Sequence, residues 1–84
     1  MYQPKANDVI EYYYKGADID STIIYISQVL TPCTPSNHIQ VCDYYCTDPT
    51  ASVISEVSVV FSELVITKHW PLDEFRQSFP EYFL

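Results

Sequence analysis

The chain has 84 residues, eleven acidic against four basic side chains, and a formal net charge of −7. That length allows one small domain, residues 1–84, with a single modest core, which excludes a multidomain machine. The charge argues against direct nucleic-acid binding and against docking on an anionic membrane, since both rely on Lys and Arg, and it favours a protein partner with a basic surface.

Hydrophobic residues make up 48% of the chain and aromatic residues 15%, too many for a disordered segment. With one Gly and six Pro, the turns must be built from Asn, Asp, Ser and Pro. Met1 to Lys5 has no apolar leader-like core, and no run of apolar residues is long enough to span a bilayer. Three cysteines, an odd number, do not form a secreted disulfide framework, so a cytoplasmic, intracellular protein with reduced thiols is expected.

In chain order, residues 1–7 read as an extended lead-in, with a turn at Asn7. Asp8 to Lys15 is a first strand with Ile10, Tyr12 and Tyr14 toward the core and Val9, Glu11 and Tyr13 on a half-exposed face. Gly16 suits a left-handed turn position, and Asp18 and Asp20 follow in the same hairpin tip. Ser21 to Leu30 is a second strand whose apolar residues occupy both parities, which means either burial on both faces or a β-bulge that changes register. A loop with Pro32 and Pro35 leads to a third strand, His38 to Thr47, which also changes parity, with the irregularity expected at Asp43.

Ser52 to Ile66 shows the cleanest period-2 alternation and reads as the central strand, with Val53, Val57, Val59 and Phe61 inward and Glu56, Ser58 and Ser62 outward. It either continues to Ile66 or breaks after Phe61 into a turn and a last short strand. Trp70 to Phe79 is the one expected helix: Pro71 fits a first position, Asp73 and Glu74 suit the first turn, and Leu72, Phe75 and Phe79 share a face. The fold class is therefore mainly β, a small antiparallel meander or SH3-like barrel of four or five strands with a short C-terminal helix.

The chemical groups point away from catalysis. Cys33, His38, Cys42 and Cys46 fall within fourteen residues, but on a straight strand Cys42 and Cys46 have Cα atoms about 13 Å apart, too far to share a metal or a disulfide. No cofactor, metal site or catalytic group is expected, and the chain is read as a non-enzyme. The Tyr12–Tyr14 run and the Tyr44–Tyr45 pair must each send at least one ring outward, and exposed Tyr is a frequent interface residue.

The leading expectation is a small acidic protein-binding domain that uses Glu11, Tyr13, Asp18, Asp20, Asp43 and Glu56 as contact groups. In size and acidity, and in composition alone, it is similar to small virus-encoded inhibitors that block host defence complexes, such as anti-CRISPR and DNA-mimic proteins. That resemblance implies an inhibitor that occupies a nucleic-acid-binding site. The alternative is a structural or homo-oligomeric subunit associating through the aromatic segment from Trp70 to Leu84.

Overall fold

A computed structural model describes residues 2–16, 23–47 and 56–83. Five strands form one antiparallel sheet: β1 (Val9–Tyr14), β2 (Tyr25–Thr31), β3 (His38–Cys46), β4 (Glu56–Val60) and β5 (Leu64–Trp70), followed by a helix, α1 (Leu72–Ser78). The strand order is β4-β3-β2-β1-β5. It is a four-strand meander whose fifth strand returns to pair with the first, the connectivity expected for an SH3-like barrel. Among the described residues no ladder joins β4 to β5, so the sheet remains open.

The link between β4 and β5 dictates the shape of that sheet. Only Phe61–Glu63, a single 3₁₀ turn, separates them. In a flat sheet Val60 and Leu64 would lie on opposite edges, four strand spacings or about 19 Å apart, yet four residue steps reach at most about 14 Å. The sheet must therefore coil until its edges approach. Two bonds flanking the turn record this: Phe61 N–H donates to Asn37 O just before β3 (2.8 Å), and Lys15 N–H at the end of β1 donates to Glu63 O (2.8 Å).

Coiling is relieved by three register shifts. They leave Leu30 on β2, Tyr44 on β3 and Thr67 on β5 as extra residues opposite their partner strands. The parity changes expected in the second and third strands are these bulges, the latter at Tyr44, one residue beyond Asp43. The β5 bulge has no such signature in the sequence. Thr67 Oγ1 sits 2.7 Å from Glu11 Oε2 and 3.2 Å from Glu11 O, which ties the bulge to β1.

The inner face carries the core: Ile10, Tyr12, Val29, Ile39, Val41 and Leu64 are buried, with Tyr14, Tyr25, Val57, Val59, Phe61 and Ile66 packed around them. The lead-in covers one end, where Tyr2 stacks on His69 with ring centroids 3.7 Å apart. Gly16 takes a positive φ of 80°, the left-handed position expected of it, and Asn7, at the expected turn, takes one of 76°.

Some expectations are corrected. The central strand is β2; β4 lies at an edge, and of the stretch assigned to it residues 52–55, with Val53, lie outside the described residues. The clean alternation of β4 marks a strand solvated on one face, whereas β2, covered on both, shows apolar residues in both parities. Val9, assigned to a half-exposed face, is fully buried. Its cross-strand neighbours are Trp70 and Gln28, and the outer face they share is the one α1 covers.

Trp70 ends β5 rather than opening the helix. Pro71 (φ −61°, ψ 148°) breaks the strand and its carbonyl accepts the first helical bond, from Phe75 N–H at 2.9 Å. Phe79 precedes Pro80, which disfavours helical backbone at Phe79; its φ of −135° ends α1, and a 3₁₀ turn, Pro80–Phe83, follows. A two-turn helix has little stability of its own in water, so α1 depends on Phe75, which is completely buried and packs against Trp70 (5.2 Å), Phe79 (4.9 Å) and Tyr44 (6.4 Å). Phe75→Ala is expected to cost about 3–5 kcal/mol, read as a lower denaturant midpoint; a change under about 1 kcal/mol would mean that α1 is not held by this ring.

Candidate functional site

The bulge at Tyr44 breaks strict alternation, so Tyr44 and Tyr45 both lie on the outer side of β3. Tyr44 stacks on Phe75 and its hydroxyl donates to Gln28 Oε1, while Tyr45 packs against Tyr82 with centroids 6.2 Å apart. Tyr45 is 40% exposed, the one large hydrophobic side chain in the exposed class among the described residues. Tyr82 also stacks on Phe75 at 5.6 Å. The result is a layer of rings, Trp70, Phe75, Phe79 and Tyr82, that begins buried under α1 and surfaces at Tyr45. Exposed carboxylates on the same C-terminal cover, Asp73, Glu74 and Glu81, make this region acidic.

The residues named from the sequence divide between the two faces. Glu11 lies on the outer face of β1, across from Lys68 and held by Thr67. Tyr13 is half-buried on the same face. Glu56 is exposed on β4, opposite Cys42. Asp43 takes the inner side, opposite Ser27. Asp18 and Asp20 lie outside the described residues. β2 and β3 separate Glu11 from Glu56, so these carboxylates do not form one cluster. Tyr45, Tyr82, Asp73, Glu74 and Glu81 are the surface groups that this residue set omits. The Tyr44–Tyr45 pair was the available signal, while Asp73 and Glu74 read as ordinary first-turn residues.

Asp43 belongs to a buried polar trio. Ser27, fully buried, donates to Asp43 Oδ1 at 2.5 Å, and the Tyr12 hydroxyl lies 3.2 Å from Ser27 Oγ and 3.3 Å from the same carboxylate oxygen. Every buried side-chain polar atom among the described residues has a partner. Tyr12, Tyr14 and Tyr25 pack edge to face and face to face above it, with centroids 5.4–5.9 Å apart. With Ser27 wholly enclosed and no imidazole in the set, the trio fixes side-chain positions in the core instead of exposing a nucleophile.

The thiols are separated: Cys42 faces outward beside Glu56, Cys46 pairs with inward-facing Tyr25, and Cys33 is exposed in the proline loop. Partial burial, then Glu56 and Asp43, push the Cys42 thiol up. A thiol reagent is expected to modify Cys33 before Cys42 near neutral pH, which mass spectrometry of partially labelled protein would show; Cys42 reacting first would contradict its placement.

Burial also raises the phenols of Tyr2, Tyr12, Tyr14, Tyr44 and Tyr82 above their ordinary value of 10.0, with the Asp8 bond adding to the effect at Tyr2 and the Asp43 charge adding to it at Tyr12. The folded state thus keeps protons that the unfolded chain releases near pH 10. The corresponding stability is present in full below about pH 10 and is lost as pH rises through the folded-state values. Denaturant titrations are expected to give a constant stability up to about pH 9 and a falling one above about pH 10, with a shallower fall in Tyr12→Phe. A flat profile to about pH 11 would contradict the burial of these rings.

No helix among the described residues is long and apolar enough to cross a membrane. No protein-family model, curated protein or solved structure matches the chain, and the functional reading rests on its own side chains.

Proposed function

We propose that this chain is a small, acidic, non-enzymatic protein-binding domain whose outer, tyrosine-bearing surface meets a basic surface on a larger partner. The observation that carries the reading is Tyr45 of β3, exposed beside Tyr82 at the end of a largely buried set of rings, with Asp73, Glu74 and Glu81 exposed on the C-terminal segment. Tyr contributes a large rigid area with a polar tip, and the exposed carboxylates of the C-terminal segment would steer a cationic partner. Glu11 and Glu56 extend the negative field across the outer face.

The four cations support the same choice of partner. Lys5 lies in the lead-in, Lys15 at the end of β1, Lys68 on β5 and Arg76 on α1, so they form no track along which a phosphate backbone would run. Basic surfaces of this kind commonly bind nucleic acid, and a domain that covers one acts as a competitive inhibitor. A virus-encoded inhibitor of a nucleic-acid-binding or defence complex, acting inside the cell, is the concrete form of the proposal. At 18% charged residues it would combine aromatic contact with charge, where a close DNA mimic would depend on charge density.

Self-association through the segment from Trp70 to Leu84 is the less favoured reading. Among its described side chains, Phe75 is spent within its own chain, and Trp70, Phe79 and Tyr82 are partly buried around it, which limits the apolar area they offer a second copy.

The test is affinity capture from the native cell followed by competition with nucleic acid. The expected result is a nucleic-acid-binding partner that DNA or RNA displaces, that dissociates as salt is raised, and that binds Tyr45→Ala at least about tenfold more weakly. Capture that ignores both salt and nucleic acid, or finds only further copies of this chain, would overturn the proposal.

A further inference from the structure

Along the inner side of β5, beside the turn that leads into it, lies a groove of about 400 Å³ lined among the described residues by Tyr2, Lys15, Phe61, Ser62, Leu64 and Ile66. Small-molecule sites commonly span about 300–1,000 Å³. The walls are largely apolar: Leu64 and Ile66 come from the inner side of β5, and Phe61 from the turn that joins it to β4. Among the described residues that line it, none is acidic.

Of the three polar side chains in the lining, Tyr2 already donates its hydroxyl to Asp8, while Lys15 and Ser62 are available as donors. Lys15 brings an ammonium. Ser62 brings a hydroxyl whose oxygen already accepts from Asn37 Nδ2 at 2.7 Å, which leaves its proton to be given elsewhere. The Asn37 amide is held in that sense from its other end, with its oxygen 4.0 Å from the Cys33 thiol.

The opposite wall is also fixed. The Tyr2 ring stacks on His69, and its hydroxyl donates to Asp8 Oδ2 at 2.6 Å. Tyr2 also lines a second depression, with Gln3, Lys5, Asp8, His69 and Pro71, so its ring is the partition between the two. The groove is thus bounded in length, with an apolar body and a cationic, donor-bearing rim.

We propose that this groove is a binding site for a small apolar carboxylate, of the size of a medium-chain fatty acid. The carboxylate is held by the Lys15 ammonium and the Ser62 hydroxyl, and the hydrocarbon lies along Phe61, Leu64, Ile66 and the Tyr2 ring. Charge selects the ligand: a cationic amphiphile would meet Lys15 with like charge, and a neutral alcohol would forgo the charge-assisted bonds. The site lies on the inner side of the sheet at its seam, separate from the outer surface assigned to a protein partner, and either can fail without the other.

Titration of the isotope-labelled full chain with octanoate, octanol and octylamine, followed by amide chemical shifts, tests the assignment. Saturable shifts centred on residues 15, 61–62, 64 and 66 are expected with octanoate, with octanol at least about tenfold weaker and octylamine weaker still. Lys15→Gln is expected to weaken octanoate by about tenfold, Lys15→Arg to restore it, and Ser62→Ala to weaken it about fivefold. Lys68→Gln, exposed on the outer side of β5, is expected to leave it unchanged. All of these side chains are exposed, so the variants should retain the dispersed spectrum of the parent. Octanol binding as tightly as octanoate, shifts centred elsewhere, indifference to Lys15→Gln, or no saturation would each overturn the proposal.

Discussion

Three residues between Val60 and Leu64 constrain the whole molecule. They are too few to join opposite edges of a flat sheet, so the strands coil, and the coil generates the rest of the architecture. It encloses an inner face small enough to be filled by a few branched side chains and tyrosines. It requires bulges where strands bend, at Leu30, Tyr44 and Thr67. It also leaves a seam between β4 and β5, with Phe61 and Ser62 on one side and the inward residues of β5 on the other.

Each face then solves a different physical problem. Inside, Tyr12, Ser27 and Asp43 satisfy one another, so a carboxylate and two hydroxyls reside in or beside the core at little cost. Outside, β1, β2 and β5 still carry apolar residues, Val9 and Trp70 among them, that a solvated sheet face would waste. The C-terminal segment covers them through Phe75. The cover is incomplete, and the bulge at Tyr44 determines where it ends, because it turns two consecutive tyrosines to the same side. One ring is consumed by the packing and the next is left in solvent.

Much of this architecture was legible from residue patterns, and the failures have physical causes. Strand positions followed from β-branched and aromatic runs, the turn at Asn7 from its residue type, and the one at Gly16 from glycine's tolerance of positive φ. Parity breaks in the second and third strands announced bulges, since apolar residues in both parities require either a change of register or burial on both faces. Period-2 alternation, however, reports one-sided solvation and not position in the sheet. That is why the regular stretch around Val57 and Val59 belongs to an edge strand, while the irregular β2 lies at the centre. Val9 could not be recognised as core because its cover, α1, is distant in sequence. The contact residues were harder still: which face a carboxylate takes flips at every bulge, so Asp43 turned inward while Glu11 and Glu56 stayed outside. Thr67 left no trace in the pattern because a single threonine in a strand is unremarkable.

The outer surface around Tyr45 and Tyr82 is the proposed contact for a basic partner, apart from the core and from the groove along the inner side of β5. Amide hydrogen exchange on the chain, free and in complex with its captured partner, tests that division most directly. The account predicts added protection at residues 44–46 and across α1 and the Pro80–Phe83 turn, with residues 2–8 and β5 unchanged. Protection confined to residues 2–8 and β5, or none anywhere, would contradict it.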